Sequence, residues 1–271
     1  YHGTAEGRQT IWPGPFLAGG TSPGALAGAY ELAEKYDVMT TTHTAETAEQ
    51  ERGLASSVEY LESAGYLGER TLLGHCVHVS EADVQRLAET DTKVAHNIVT
   101  NCALGSGVAP VPMIQRYGVT VGLGTDNVDQ NHTSNMIDDM RFATMVHKVT
   151  SGNPRMMSPE TVVEMATIDA ARAIGRADDL GSLEEGKLAD VVVLDLDQPH
   201  LRPFTDVASA LVYQATGTEV ETVLCHGDVV FEDDEPTADI DAILDSPDDV
   251  FKQRNHLVER TGLSELDGGE W

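Results

Sequence analysis

Two imidazoles and two carboxylates are spaced along the first half of the chain. They are His43 and Glu46 in His43-Thr44-Ala45-Glu46, then His75, then Asp126 in Gly124-Thr125-Asp126. Each stands at or just beyond the end of an apolar, β-rich run. The run from Val38 closes on His43, Thr71-Leu72-Leu73-Gly74 leads into His75, and Val119-Thr120-Val121-Gly122-Leu123 leads into the loop with Asp126. His and Asp are ligands that suit zinc or a related divalent metal. Two carboxylates beside one metal can hold different protonation states, which separates an acid from a base. Polar residues at the C-terminal ends of successive strands, with helices between them, are the layout of an active site on a parallel α/β barrel.

The elements that must carry these residues follow from local signals. Ser22-Pro23 caps a helix to about Tyr36, and Asp37 to Thr42 is a strand. The stretch from Glu46 to Ala64 has a helical pattern that Gly53 can interrupt. Ser80-Glu81-Ala82-Asp83 opens a helix to about Glu89, and Lys93 to His96 is a strand. A short helix spans Pro112 to Tyr117. Longer ones run from Ser134 to His147 and from the cap at Ser158 to Gly175. Strand–helix alternation of this kind predicts a parallel sheet. The rival, a doubly wound sheet, lacks a Gly-x-Gly-x-x-Gly or phosphate-loop motif after any strand. Near Asp179 the pattern changes. Val191 to Leu194, and a hairpin from Val223 to Phe231 with a Gly-Asp turn, predict a small β-domain. The expected division is a barrel portion over 1–178, β-sandwich strands over 179–235, and an acidic, partly helical arm over 236–271. The fold class is α/β: a partial (β/α)8 TIM-type barrel with part of a small β-sandwich.

Composition narrows the partners. Asp and Glu total 45 against 17 Lys and Arg, a formal charge of −28, and the acids are spread along the whole chain of 271 residues. Such a surface repels itself at low salt and is screened at molar salt, where the Debye length is about 3 Å. It predicts a protein of a salt-loaded, halophilic cytoplasm, and it excludes nucleic acid and anionic membranes as partners. There is no apolar run of membrane-spanning length and no signal peptide. Cys76, Cys102 and Cys225 form no C-x-x-C pair and are expected to be core thiols of a reducing compartment. Met136, Met140 and Met145 are expected to pack in the core. His147, His200, His226 and His256 are expected at the surface, and His78 to pack or cap. Asn127, Asn131 and His132 sit in a polar loop that is solvated or touches substrate.

Five stretches together resemble the amidohydrolase superfamily, and within it the metal-dependent aminohydrolases. That branch holds the methylthioadenosine/S-adenosylhomocysteine deaminases, the cytosine and guanine deaminase relatives and the triazine hydrolases. The stretches are Thr42-His43-Thr44-Ala45-Glu46-Thr47, Gly74-His75-Cys76-Val77, Val94-Ala95-His96-Asn97, Gly122-Leu123-Gly124-Thr125-Asp126, and Gly181 to Asp190. The resemblance implies that His43 and Asp126 are metal ligands. It implies that Glu46, His75 and Asp126 are catalytic: Glu46 shuttles a proton and contacts substrate, His75 orients the attacking water, and Asp126 is also general base. His96, at a strand end, is a further candidate substrate contact. The implied cofactor is one divalent metal, zinc first, with iron or manganese as alternatives. A single ion is favoured because no lysine precedes Lys35 to bridge a second.

The implied reaction releases ammonia from an amino-substituted N-heterocycle, of purine nucleoside type such as methylthioadenosine or S-adenosylhomocysteine. A triazine or pyrimidine aminohydrolase, or a chlorohydrolase, is the alternative. The partners are then a small heterocycle and water, with a homo-oligomer open. Two departures from the family stand out. No His-x-His occurs in the chain, so that pair and the first strands are expected upstream of Tyr1. The stretch His96-Asn97-Ile98-Val99-Thr100-Asn101 lacks the family's proline. With His43 and Asp126 alone a zinc site has fewer than its usual three protein ligands, so a catalytically incomplete fragment or pseudoenzyme is also open.

Overall fold

The computed structural model describes residues 1–50 and 56–237. They form two compact units, one of Tyr1–Leu188 with Leu196–Glu219, the other built on Ala189–Asp195 and the chain from Val220 onward. The expected boundary at Asp179 therefore lies inside the first unit. His256 and nearly all of the expected arm over 236–271 lie outside the described residues.

The first unit is built on four short strands, β1 (Thr40–Thr44), β2 (Thr71–His75), β3 (Lys93–His96) and β4 (Val121–Leu123). They pair in parallel in the order β1-β2-β3-β4. Thr44 lies opposite His75, Gly74 opposite Ala95, and Ala95 opposite Gly122. The order is sequential, without the reversal a doubly wound sheet requires. The free edge of β1 is lined by the segment before the first helix: Leu17 bridges His43, and Thr41 N–H donates to the Pro13 carbonyl.

The helices lie between the strands as the alternation requires. They are α1 (Pro23–Tyr36), α2 (Ser57–Ser63), α3 (Glu81–Glu89), α4 (Ile98–Ala103) and α5 (Val111–Arg116). After β4 come α6 (Val128–Asn131), α7 (Met136–Ser151), α8 (Pro159–Ala166), α9 (Ile168–Ala173) and α10 (Val207–Tyr213). Their starts are chemically specified. Ser22 Oγ accepts from Ala25 N–H with Pro23 at the first helical position, and Ser158 Oγ accepts from Thr161 N–H. Ser80 and Asp83 form a reciprocal capping box. The core joins strands to helices through Leu26, Leu61, Leu73, Leu87, Val94, Ile98 and Ile114, all fully buried. At about 1.5–3 kcal/mol for each large aliphatic side chain, these contacts rather than the three- to five-residue strands hold the sheet in place.

Several expectations need correction. The helix expected over Glu46–Ala64 is a turn around Thr47–Gln50 and then α2, with 51–55 outside the described residues. The helix expected to run from Ser158 to Gly175 is two, because Thr167 leaves the helical region with φ −125° and ψ −96°. Met140 is buried, but Met145 is 53% exposed. It stands five residues on, about half a turn round the helix. His147 stands seven residues after Met140, nearly in register with it, and is buried rather than on the surface. Cys76 is buried as expected, whereas Cys102 is exposed.

The second unit contains one antiparallel sheet in the order β5 (Val191–Leu194), β6 (Val220–Cys225), β7 (Asp228–Glu232) and β8 (Glu235–Pro236). The β6–β7 hairpin turns on His226 and Gly227, not on Gly227 and Asp228, since Cys225 already pairs with Asp228. Both turn residues have positive φ, 53° and 86°, as a two-residue type I′ loop demands.

Candidate active site

β1, β2 and β4 deliver their polar residues at one edge of the parallel sheet, the C-terminal one. The chain turns sharply there. Ala45, His75, Cys76 and Asp126 all have positive φ, between 49° and 71°, and none is glycine. Left-handed backbone at non-glycine residues costs about 1–3 kcal/mol each and persists where the surroundings over-determine it. Here it redirects His75 and Asp126 away from their strand directions.

The four predicted residues come together. The rings of His43 and His75 stack at 5.3 Å between centroids. His75 Nε2 lies 3.7 Å from Asp126 Oδ2 and 4.0 Å from Glu46 Oε2. His75 is buried, and the carboxylates of Glu46 and Asp126 are about one-tenth exposed. The charges are therefore gathered where water is scarce, which strengthens their mutual fields.

Each group is held by a neighbour. The Phe16 carbonyl receives two bonds from His43, from the backbone N–H at 3.3 Å and from ring Nδ1 at 2.5 Å. The Asn101 side-chain carbonyl lies 2.9 Å from His75 Nδ1. A carbonyl only accepts, so in both rings Nδ1 carries a proton, and in the neutral form of each ring Nε2 is the nitrogen with the lone pair. Glu46 accepts from Gln50 Nε2 at 3.2 Å and from Ser106 Oγ at 3.5 Å. Asp126 accepts from Asn127 N–H at 2.8 Å and from Asn97 Nδ2 at 3.4 Å.

His96 does not join this group. It is fully buried, and its Nε2 faces His147 Nε2 at 3.1 Å. Burial, then the neighbouring His147 and His75, pushes its pKa down to about 3. Burial brings His147 to about 4. Both imidazoles are neutral at physiological pH. His78 Nε2 donates to the Ser106 carbonyl, 2.9 Å away. In the loop after Asp126, Asn127 and His132 are exposed, but Asn131 is buried and hydrogen-bonded, so that loop is only partly solvated. The supports missed in the sequence are Asn97, Asn101 and the Phe16 carbonyl. Asn97 and Asn101 stand one helical turn apart just after a strand end, a polar spacing that marks one face of a site helix.

The donor set has the chemistry of a zinc site: two imidazoles that carry a proton on Nδ1, and a carboxylate, each oriented by a second hydrogen bond. As a set it is incomplete. Among the described residues no group of three or more His, Cys, Asp or Glu side chains is close enough to hold an ion. The residues thus fit a metal as part of a larger ligand shell.

Comparison with known proteins decides the family. The sequence profile described as "Amidohydrolase family" matches residues 1–230. The chain belongs to the amidohydrolase family. An S-triazine hydrolase of Gordonia rubripertincta is 37% identical over 266 residues, 96% of this amidohydrolase chain and 55% of its own length. A 5'-deoxyadenosine deaminase of Methanothermobacter thermautotrophicus is 38% identical over 86% of this chain and 56% of its own. Among solved structures, an adenosine deaminase from Xanthomonas campestris with bound zinc superposes with a TM-score of 0.82 at 27% identity. That match covers 86% of this chain and 55% of the other. An atrazine chlorohydrolase from Arthrobacter aurescens complexed with zinc gives 0.81 at 29%, covering 88% and 54%. This amidohydrolase chain therefore spans about half the length of the relatives it matches.

Proposed function

We propose that this amidohydrolase chain carries the larger part of a metal-dependent hydrolytic deaminase of amino-substituted N-heterocycles. The observation that carries the reading is the convergence of His43, Glu46, His75 and Asp126, with Nδ1 of both imidazoles bound to a carbonyl oxygen. The parallel sheet is then one half of a (β/α)8 barrel, and the antiparallel sheet one layer of a β-sandwich. His43 and Asp126 would hold one divalent ion, zinc by analogy with the zinc-bound structural relatives. The remaining ligands would come from the part of the relatives' length that this chain does not span.

When bound, such an ion lowers the pKa of water from 15.7 to about 7. The side chains move the protons. Asp126 accepts a proton from the attacking water, and His75 Nε2 accepts a hydrogen bond that orients it. Glu46 delivers a proton to the ring nitrogen next to the amino-bearing carbon, which makes that carbon electrophilic. Water oxygen adds to the carbon, the amino group is protonated by the proton Asp126 took, the C–N bond breaks, and ammonia leaves. The lost ring proton returns to Glu46.

We favour a 6-aminopurine nucleoside such as methylthioadenosine or S-adenosylhomocysteine as substrate, as several deaminase relatives are named for such compounds. The second reading is a triazine, favoured by the match that covers 96% of this chain. Ammonia and chloride release, measured with zinc in molar salt on 6-aminopurine nucleosides and on amino- and chlorotriazines, separates the two. Neither product from any substrate, in protein shown to contain zinc, would refute the proposal.

A further inference from the structure

Asp139, in the first turn of α7, is a carboxyl group with no exposure to solvent. It makes none of the polar contacts of His43, Glu46, His75 or Asp126. Its two oxygens go elsewhere: Oδ1 accepts from Val99 N–H at 3.4 Å, and Oδ2 accepts from Asn131 Nδ2 at 3.2 Å. Both partners lead to the site. Val99 is in the first turn of α4, whose own cap residue Asn97 makes no side-chain capping bond. Asp139 supplies that missing acceptor from another helix. α4 is the element that begins beside Asn97, the donor to Asp126, and carries Asn101, the acceptor for His75. Asn131 in turn closes the segment between Asp126 and α7. Its Oδ1 accepts from Thr133 N–H at 3.3 Å, Thr133 Oγ1 at 2.9 Å and Ser134 N–H at 3.1 Å.

A buried carboxyl is expensive, and an apolar side chain of similar volume commonly gives equal or greater stability. Burial has pushed this one up to about 6, with Asp138 and Asp126 adding and the bonds from Asn131 and Val99 opposing. What the fold obtains in return is geometric. One group ties the support of His75 and the support of Asp126 to the same helix.

We propose that Asp139 is a positioning residue of the site, fixing through α4 and Asn131 the tautomer of His75 and the placement of Asp126. The proposal rests on the reading of His75 and Asp126 given above.

The test is a polarity swap. Asp139→Asn leaves one acceptor for two donors, and Asn131→Asp sets two carboxylates against each other. The double variant Asn131→Asp/Asp139→Asn restores every bond with the direction of one reversed. The new amide at 139 donates to the new carboxylate at 131 and still accepts from Val99 N–H, while Thr133 and Ser134 keep their acceptor. Three quantities are read on the same samples: the His75 ring signals in long-range 1H–15N spectra, zinc affinity, and melting temperature. The single variants are expected to move His75 away from a pure Nδ1–H tautomer and to weaken zinc binding about 10–100-fold, the range for lost outer-shell partners. The double variant is expected to restore both. If the singles lower only the melting temperature, or the swap restores stability without His75, Asp139 is merely structural and the proposal falls. Should Asp139→Asn not fold, Asn131→Asp against the parent and the double variant decides on the same His75 signals. If the parent binds no zinc, the ligands that this chain does not span are needed for the metal, and the His75 tautomer still settles the role of Asp139.

Discussion

Replacing His147 by glutamine isolates the cost of keeping two imidazoles neutral in the core. His96 and His147 are 0% and 3% exposed and face each other through Nε2. Their pKa values fall from 6.5 to about 3 and about 4, chiefly through burial. Below pH 6.5 the unfolded chain takes up protons that the folded chain refuses. The stabilisation is thus complete above pH 6.5 and is lost as pH falls toward those folded values. At about 1.4 kcal/mol per pH unit for each ring, the loss at pH 5 is about 2 kcal/mol per imidazole and about 4 kcal/mol for the pair. Glutamine can still hydrogen-bond His96 but does not titrate. His147→Gln is expected to cost about 1 kcal/mol near pH 7 and to lose about 2 kcal/mol less than the parent between pH 7 and pH 5. Urea unfolding of both proteins at the two pH values, at one fixed high salt concentration, measures this. Comparing the two cancels other groups, including Asp139, whose raised pKa acts in the opposite direction. Equal losses in parent and variant would refute the argument, since they would mean that His147 takes up its proton as readily in the fold as out of it.

Two further substitutions probe other parts of the first unit. Glu219 is 1% exposed and accepts from Thr216 N–H, Gly217 N–H, Thr216 Oγ1 and His200 Nε2. Burial alone would raise its pKa, but the backbone donors and His200 outweigh it and hold the carboxyl at about 2. Its contribution is present above about pH 4.5 and lost as pH falls toward 2, so Glu219→Gln should destabilise the fold by about 1–3 kcal/mol at neutral pH and flatten the acid limb of the melting curve. An unchanged acid limb would refute this. At Gly124 an added Cβ would lie 2.6 Å from Asn97 Oδ1, so Gly124→Ala must turn Asn97 away from Asp126. Zinc affinity is expected to fall about tenfold or more with little change in melting temperature. Unaltered zinc binding would show that Asn97 has no part in holding Asp126.

What the sequence disclosed, and what it withheld, divides by range. Signals that act within a turn or a strand were legible. The capping box of Ser80 and Asp83 and the strand ending on His96 lie where their local pattern puts them. The strand periodicity also brought His43, His75 and Asp126 to one edge, because a residue at the C-terminal end of a parallel strand has only that edge to occupy. Facts that depend on two distant elements were not legible. Nothing near His147 in sequence signals His96, 51 residues away, although its seven-residue offset from Met140 signals burial. The exposed thiol of Cys102 has the same origin, since a six-residue helix offers too little periodicity to choose a face.

The deeper reason lies in how the site is stiffened. The four groups proposed to react stand on three strands, but the atoms that orient them are carbonyl and amide groups of residues 4 to 29 positions away: Phe16 for His43, Asn101 for His75, Asn97 for Asp126, Gln50 for Glu46. A reactive residue is recognisable because few side chains can do its chemistry. A supporting amide or backbone carbonyl is chemically ordinary and is distinguished only by position. The same asymmetry makes the supports informative as targets. A change in His43 or Asp126 removes a donor and with it any measure of geometry. A change in Asn97, Asn101 or Asp139 leaves every donor in place and reports on orientation alone.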